Sequence, residues 1–139
     1  MKTILSYWFP VIVWMAFINP LNKGLTAENT SRFLIPFLMW LMPDAGSETI
    51  ILYHTAIRKT AHFLEYALLA LLLYRAFRAG RKDWRYGWTL GAGVIALGYA
   101  ALDEYLQSMI AARTGSPYDL LIDTAGVLCA MGILLVRKR

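Results

Sequence analysis

The stretch RKTAHFLEYALLALLLYRAF, residues 58–77, carries Arg58, Lys59, His62 and Glu65 into a run that is otherwise largely apolar as far as Tyr74. About 20 residues of α-helix cross the roughly 30 Å hydrocarbon layer of a bilayer. A charged side chain inside such a helix costs about 2.5–3.5 kcal/mol on insertion scales, and it marks a functional-site hypothesis. The stretch therefore predicts a transmembrane helix that carries part of a polar site.

The overall composition also indicates a membrane environment. Hydrophobic residues make up 58% of the 139 residues, and the mean hydropathy is +0.48. This fraction exceeds the roughly 45–50% of globular domains, and a soluble domain of this size has no core large enough to bury the excess. We therefore expect a single membrane domain over residues 1–139. The one cysteine, Cys129, excludes an intrachain disulfide and a CxxC metal site.

Four apolar segments predict transmembrane helices, and a shorter one lies between the first two. The first span is expected at residues 4–18 and the fourth at 117–136. The second begins somewhere between residues 49 and 60 and ends at 74, and the third runs from 86 to about 105. The apolar part of 31–43 is too short to cross and predicts an interfacial or re-entrant helix. The expected fold is all-α: a polytopic membrane protein with four transmembrane helices plus this short helix in the first outer loop.

Basic residues predict how the chain is oriented. An even number of spans places both termini and the 74–85 loop on one side. That side collects most of the 14 basic residues, namely Lys2, Arg75, Arg78, Arg81, Lys82, Arg85, Arg137, Lys138 and Arg139. Because Lys and Arg are enriched in cytoplasmic loops, both termini are expected to be cytoplasmic, in a multi-pass protein of the cytoplasmic membrane. The formal charge of +5 then reflects topology and does not indicate a nucleic-acid partner.

Polar residues of three predicted spans lie at one depth. At about 1.5 Å per residue from the nearest cytoplasmic charge, His62, Asp103 and Asp123 lie roughly 24, 27 and 21 Å into the membrane. Helical spacing also gives each span one polar face with small residues beneath it, which let helices approach closely. On the second span this face holds Lys59, His62, Glu65 and Tyr66. On the third span it holds Gly93, Ala96, Ala100, Asp103 and Gln107. On the fourth span it holds Asp119, Asp123, Gly126 and Ala130. We expect these faces to form an outward-opening polar cup with Glu104 and Arg113 at its rim.

Several roles fit these residues. Buried polar side chains can be plain interhelical hydrogen bonds, but each is worth only about 0.6 kcal/mol, so a convergent set favours function. His62 suits acid–base chemistry because it titrates near neutral pH, or equally a hydrogen bond to Glu65 or Asp103. Arg113 suits a bidentate grip on phosphate or carboxylate, or a salt bridge to an aspartate. Carboxylates with one imidazole could hold a divalent metal, but HExxH is absent, and we expect no metal and no cofactor.

The order of the polar blocks is similar to a known pattern. The blocks are Lys59-x-x-His62-x-x-Glu65-Tyr66, then Asp103-Glu104-x-x-Gln107, then Arg113-x-x-Ser116-x-x-Asp119, with Gly126 downstream. Over about residues 55–132 this resembles the VanZ-like family of small bacterial membrane proteins, although that family more often has Asn where Asp123 stands. The resemblance implies an association with low-level resistance to teicoplanin, a lipid-tailed glycopeptide, and no reaction is established for the family.

Two functions of different classes follow. The first is a protein that binds or shields the head of a cell-envelope amphiphile, either a lipid-linked cell-wall precursor or a lipoglycopeptide, among membrane lipids. The ligand would then contact Lys59, Tyr66, Gln107, Arg113, Asp119 and Asp123. The second is an intramembrane hydrolase or transferase acting on a lipid-linked envelope substrate. Its catalytic candidates are His62, Glu65, Asp103 and Glu104, with Asp103 or Glu104 as the carboxylate partner of His62. The sequence leaves this choice and the oligomeric state open.

Overall fold

The computed structural model describes residues 4–19, 27–109 and 117–137. Within them the chain forms five α-helices and no strand, which confirms the all-α prediction for this part of the chain. The helices are α1 (Ile4–Ile18), α2 (Ala27–Leu41), α3 (Ser47–Arg78), α4 (Tyr86–Ser108) and α5 (Pro117–Val136). The bounds of α1 and α5 are those predicted, and α2 occupies most of the segment expected to form a short helix.

Some predictions fall on residues outside the described ranges. They concern Lys2, Arg113, Ser116, Lys138 and Arg139.

Among the described residues, one helix is both long and apolar enough to cross a membrane, over Tyr118–Val136 in α5. The apolar helix α1 has 15 residues, about 22 Å of helix against roughly 30 Å of hydrocarbon. Helices α3 and α4 have 32 and 23 residues, so their length suffices and their polar and small side chains lower their hydropathy. Length and composition therefore do not confirm the prediction of four spans.

Helix α3 is the centre of the bundle and packs against each of the other four helices. Its interface with α5 is the most extensive, and α4 packs against both α3 and α5. Helix α4 contributes a buried alanine stripe formed by Ala92, Ala96 and Ala100. Because these side chains are short, α4 approaches its neighbours closely and brings the polar residues above the stripe into the interior.

Gly126 allows the closest approach between α3 and α5. A Cβ at this position would overlap the carbonyl oxygen of Phe63 and would lie 3.3 Å from the backbone nitrogen of Ala67. Backbone atoms in the middle of a helix cannot move aside as the end of a side chain can, so the contact requires glycine. Gly126 follows Asp123 by three residues, and the same contact holds Asp123 against α3.

Two hydrogen bonds attach α1 to the bundle. The indole Nε1 of Trp14 donates to the carbonyl oxygen of Glu65 at 3.0 Å, and the hydroxyl of Tyr99 donates to the carbonyl oxygen of Met15 at 2.7 Å. Met15 lies in the last turn of α1, where carbonyl groups have no partner within the helix. Tyr99 therefore satisfies an acceptor at the end of α1 and fixes this helix against α4.

Candidate functional site

The polar faces predicted for the central helices meet inside the α3–α4–α5 bundle. On α4 the stripe consists of Gly93, Ala96, Ala100, Asp103 and Gln107, and all five residues are buried. This burial agrees with the face that the helical spacing predicts. The small residues thus occupy one half of the interface, and the polar residues occupy the other.

Asp103 is the centre of a buried hydrogen-bond network. Its Oδ2 atom accepts a hydrogen bond from the Tyr66 hydroxyl at 2.8 Å and another from Nε2 of Gln107 at 2.9 Å. Tyr66 is fully buried, while Asp103 and Gln107 are 4% and 8% exposed. Hydrogen bonds to a buried carboxylate offset part of its lost hydration. The network joins α4 to α3, and it depends on a fully buried tyrosine.

A second polar contact joins α3 to α5. Nδ1 of His62 lies 3.4 Å from Oδ1 of Asp123, and the two side chains are 17% and 2% exposed. This distance exceeds that of an ordinary N–H···O hydrogen bond, so the imidazole and the carboxylate are in close polar contact. Asp123 was predicted to be a ligand-binding residue, and here it is the carboxylate next to the imidazole.

The sequence predicted Asp103 or Glu104 as the partner of His62 in a catalytic role, or Glu65 or Asp103 in a hydrogen bond, and these pairings stay predictions. The contact between His62 and Asp123 is one that the sequence did not predict. The reason is geometric. Oδ2 of Asp103 accepts from two donors, and the close approach at Gly126 brings the preceding turn of α5 against α3.

The two contacts form one enclosed group. His62 and Tyr66 are four residues apart, so they lie on the same face of α3, one turn from each other. Tyr66, Asp103, Gln107 and Asp123 are buried, and His62 keeps partial exposure. The described part of the site is therefore a closed network with His62 at its edge, whereas the sequence predicted an open cup. The alanine stripe and Gly126 let the helices approach closely enough to close it.

The other candidates lie around this network. Glu65, Glu104 and Asp119 are partly exposed, Lys59 is exposed, and Arg113 lies outside the described residues. Asp119 precedes Asp123 by one helical turn, so it extends the acidic face of α5 toward its N-terminus. The ligand-binding or catalytic roles assigned to all these residues stay predictions.

Metal binding finds no support in the geometry. Within the parts of the chain that the structure describes, no group of three His, Cys, Asp or Glu side chains is placed to hold a metal ion.

Two residues near the site had no assigned role in it from the sequence. Trp14 donates to the backbone of Glu65, within the turn of α3 that carries His62, and Tyr99 attaches α1 one turn below Asp103. Tyr99 precedes Asp103 by four residues, and this spacing was the available signal. The sequence around Trp14 does not predict its contact, because its partner is a backbone carbonyl 51 residues away in the chain.

The fold and the network define a class: small all-α proteins with a buried polar site where three helices meet. A family model described as VanZ/LLP1 matches residues 4–138, nearly the whole chain, and the chain belongs to that family. The resemblance seen in the polar blocks is thereby confirmed. Comparisons with curated proteins and with solved structures gave no match.

Proposed function

We propose that the protein is an integral membrane protein whose buried polar network recognises the polar head of a cell-envelope amphiphile. The observation that carries this proposal is the burial of two carboxylates from different helices, Asp103 and Asp123, within one apolar bundle. A lipid-linked precursor or a lipid-tailed glycopeptide such as teicoplanin has the required combination of a polar head and an apolar tail.

Membrane insertion is supported by the outer faces of the helices. Large apolar side chains there are more than half exposed, among them Phe33, Trp40, Leu52 and Leu121. Soluble monomers rarely expose extensive apolar surface, and lipid would cover it. Family membership and the apolar helix α5 are consistent with this placement.

The four-span arrangement is supported by the direction of α1. Trp14 contacts the backbone of Glu65, and the Tyr7 ring lies 5.4 Å from the guanidinium of Arg75. Helix α1 therefore runs antiparallel to α3 and lies beside about ten residues of α3, at the same depth in the bundle. We place α1, α3, α4 and α5 across the membrane with both termini in the cytoplasm, and α2 at the outer surface.

Energetics favour recognition over scaffolding. Two carboxylates at membrane depth cost about 5–7 kcal/mol together if both are charged. An interhelical hydrogen bond returns only about 0.6 kcal/mol on average, so several such bonds would be needed to offset that cost. A site that lowers its own stability in this way is typical of function. The partly exposed edge at His62 is where a ligand head would reach the network, with its tail along the neighbouring apolar surface.

Neutralising each buried carboxylate tests the proposal. Cells would express wild-type protein, Asp103→Asn, Asp123→Asn, or the control Asp83→Asn, whose carboxylate is exposed and paired with Arg85. We expect wild type and Asp83→Asn to change sensitivity to teicoplanin, and the two site variants to lose this effect at equal expression. A glycopeptide without a lipid tail and mass spectrometry of the cell-wall precursors are the controls. Site variants as active as wild type, or precursors altered by the wild-type protein, would contradict the proposal.

One observation favours a second candidate, an intramembrane hydrolase or transferase. His62 is partly exposed and its imidazole contacts the buried carboxylate of Asp123, an arrangement in which a carboxylate orients a general acid or base. Purified protein would be incubated with total envelope lipids beside His62→Ala and Asp123→Asn. Product formation by wild type that both variants lose supports the enzyme, and no turnover by wild type removes it for these substrates.

A further inference from the structure

A second polar region lies at the opposite end of the bundle, around the last turns of α3 and α5. Arg78 follows Tyr66 by twelve residues, which places it roughly 18 Å from the buried network along α3. A cavity of about 720 Å³ opens there. Five of its lining residues are cationic, namely Arg75, Arg78, Arg81, Lys82 and Arg137, and none of the described residues that line it is acidic. The sequence predicted these cations only as markers of topology.

Aromatic rings hold two of these cations in place. The guanidinium carbon of Arg75 lies 5.4 Å from the centre of the Tyr7 ring, and that of Arg81 lies 5.5 Å from the Trp88 ring. Such cation–π contacts orient a guanidinium group while leaving its N–H donors at the edge of the plane. These side chains differ in this respect from flexible lysines or arginines that extend into solvent at a membrane surface.

The turn after α3 brings two further cations to the cavity. Gly80 adopts a φ of +78°, and a Cβ on it would overlap the hydroxyl oxygen of Tyr7. Arg78 donates from Nε to the carbonyl oxygen of Arg81, and from Nη2 to that of Lys82 at 3.1 Å. The chain therefore turns back over the end of α3, and Arg81 and Lys82 follow the turn to the cavity wall.

The charge of the cavity is not balanced within the described residues. No described carboxylate forms an ion pair with any of the five cations, and the acid nearest in sequence, Asp83, pairs with Arg85 at 3.0 Å instead. The C-terminal ends of α3 and α5 contribute about −0.5 charge each. This partial charge offsets about one of the five cations, so the cavity is strongly positive.

We propose that this cavity binds a phosphate group, carried either by an anionic lipid headgroup or by a soluble anion. Guanidinium groups match phosphate oxygens with paired N–H donors. The volume falls in the range of roughly 300–1,000 Å³ typical of small-molecule sites, and Trp84 and Leu134 in the wall give an apolar side. Basic pockets between transmembrane helices are suited to lipid headgroups. This site is separate from the proposed amphiphile site and does not depend on it.

The test compares two variants of equal charge. Arg75→Gln/Lys82→Gln removes two cations from the cavity, and Arg32→Gln/Arg58→Gln removes two from α2 and the distant half of α3, neither of which lines the cavity. Each purified protein, in neutral detergent, is titrated calorimetrically with short-chain phosphatidylglycerol, with diacylglycerol of the same chains, and with inorganic phosphate and diphosphate. Arg75→Lys/Lys82→Arg is a third, charge-preserving variant, and circular dichroism melts establish that all four proteins are folded.

We expect phosphatidylglycerol to bind wild type more tightly than diacylglycerol, and the cavity variant to bind it roughly 30-fold more weakly. The distant variant should bind within about twofold of wild type. Binding of the lipid alone identifies a headgroup as the source of the phosphate, and binding of inorganic phosphate or diphosphate identifies a soluble anion. Either result supports the site if the cavity variant loses it and the charge-preserving variant retains it. Equal weakening by both glutamine variants, or no preference for any phosphate ligand, would overturn the inference.

Discussion

Substituting alanine for Gly126 tests the contact that brings α5 against α3. The added Cβ would meet the Phe63 carbonyl oxygen and would lie 3.3 Å from the backbone nitrogen of Ala67. Since neither group is the end of a flexible side chain, the helices must separate. The separation would also move Asp123, three residues earlier, away from His62. One methyl group thus perturbs both the main helix interface and the polar site.

The magnitude follows from two opposing effects. Overpacking at a tight contact costs about 1–3 kcal/mol, and replacing glycine by alanine inside a helix returns about 0.5–1 kcal/mol. We therefore expect Gly126→Ala to lower the free energy of unfolding by up to about 2.5 kcal/mol. Gly132→Ala is the matched control on the same helix, because its Cβ would meet nothing within 4 Å. The control should gain about 0.5–1 kcal/mol, so the difference between the two variants isolates the overlap at about 1–3 kcal/mol.

Thermal and denaturant unfolding in neutral detergent micelles would measure both variants beside wild type. For a protein of this size, each 1 kcal/mol corresponds to a shift in Tm of about 2–8 °C. Gly98→Ala on α4 is a further control, since its Cβ would also meet nothing within 4 Å. If Gly126→Ala is as stable as Gly132→Ala, the backbone of α3 does not lie against Gly126, and the explanation for the His62–Asp123 pairing fails with it.

Three further substitutions address other contacts. Tyr66→Phe removes one of the two donors to Oδ2 of Asp103 and should lower the free energy of unfolding, measured with denaturant, by about 1–3 kcal/mol. The double variant Tyr66→Phe/Asp103→Asn should lose less stability than the sum of the two single variants, and strict additivity would show that the two residues are not coupled. Tyr99→Phe should cost about 0.5–1.5 kcal/mol and speed amide hydrogen exchange at the end of α1, and unchanged exchange there would count against the role of this hydroxyl. Ala96→Leu, at a fully buried position, should destabilise by about 1–3 kcal/mol, whereas Val94→Leu, at a position 61% exposed, should stay within about 0.5 kcal/mol of wild type.

The two polar regions have different physical characters. At the network around Asp103 and Asp123, acidic groups are buried and the helices are close, so a ligand would have to reach it through the edge at His62. At the basic cavity, the cations surround an open volume. Arg75 and Arg81 contact aromatic rings, and Arg78 hydrogen-bonds the turn after α3. A ligand there would not have to displace any helix. We therefore expect Gly126→Ala to weaken ligand binding at the basic cavity less than it weakens ligand binding at the amphiphile site.

Local pattern was sufficient for much of this protein. The apolar runs predicted α1 and α5 with their bounds, because a mainly apolar segment between polar or proline residues leaves little choice of helix ends. The spacing on α4 predicted the buried face from Gly93 to Gln107, because side chains three and four residues apart share one side of a helix. The three polar blocks also predicted the family, which the match over residues 4–138 confirms.

Packing between helices decided the rest. Periodicity gives the height and the face of a side chain on its own helix, but the separation and rotation of neighbouring helices depend on which side chains meet. The close approach at Gly126 therefore brings Asp123 next to His62, while Tyr66 and Gln107 donate hydrogen bonds to Asp103. The basic cavity likewise forms only because α1 lies along α3 and brings Tyr7 to Arg75, a partner 68 positions later in the chain.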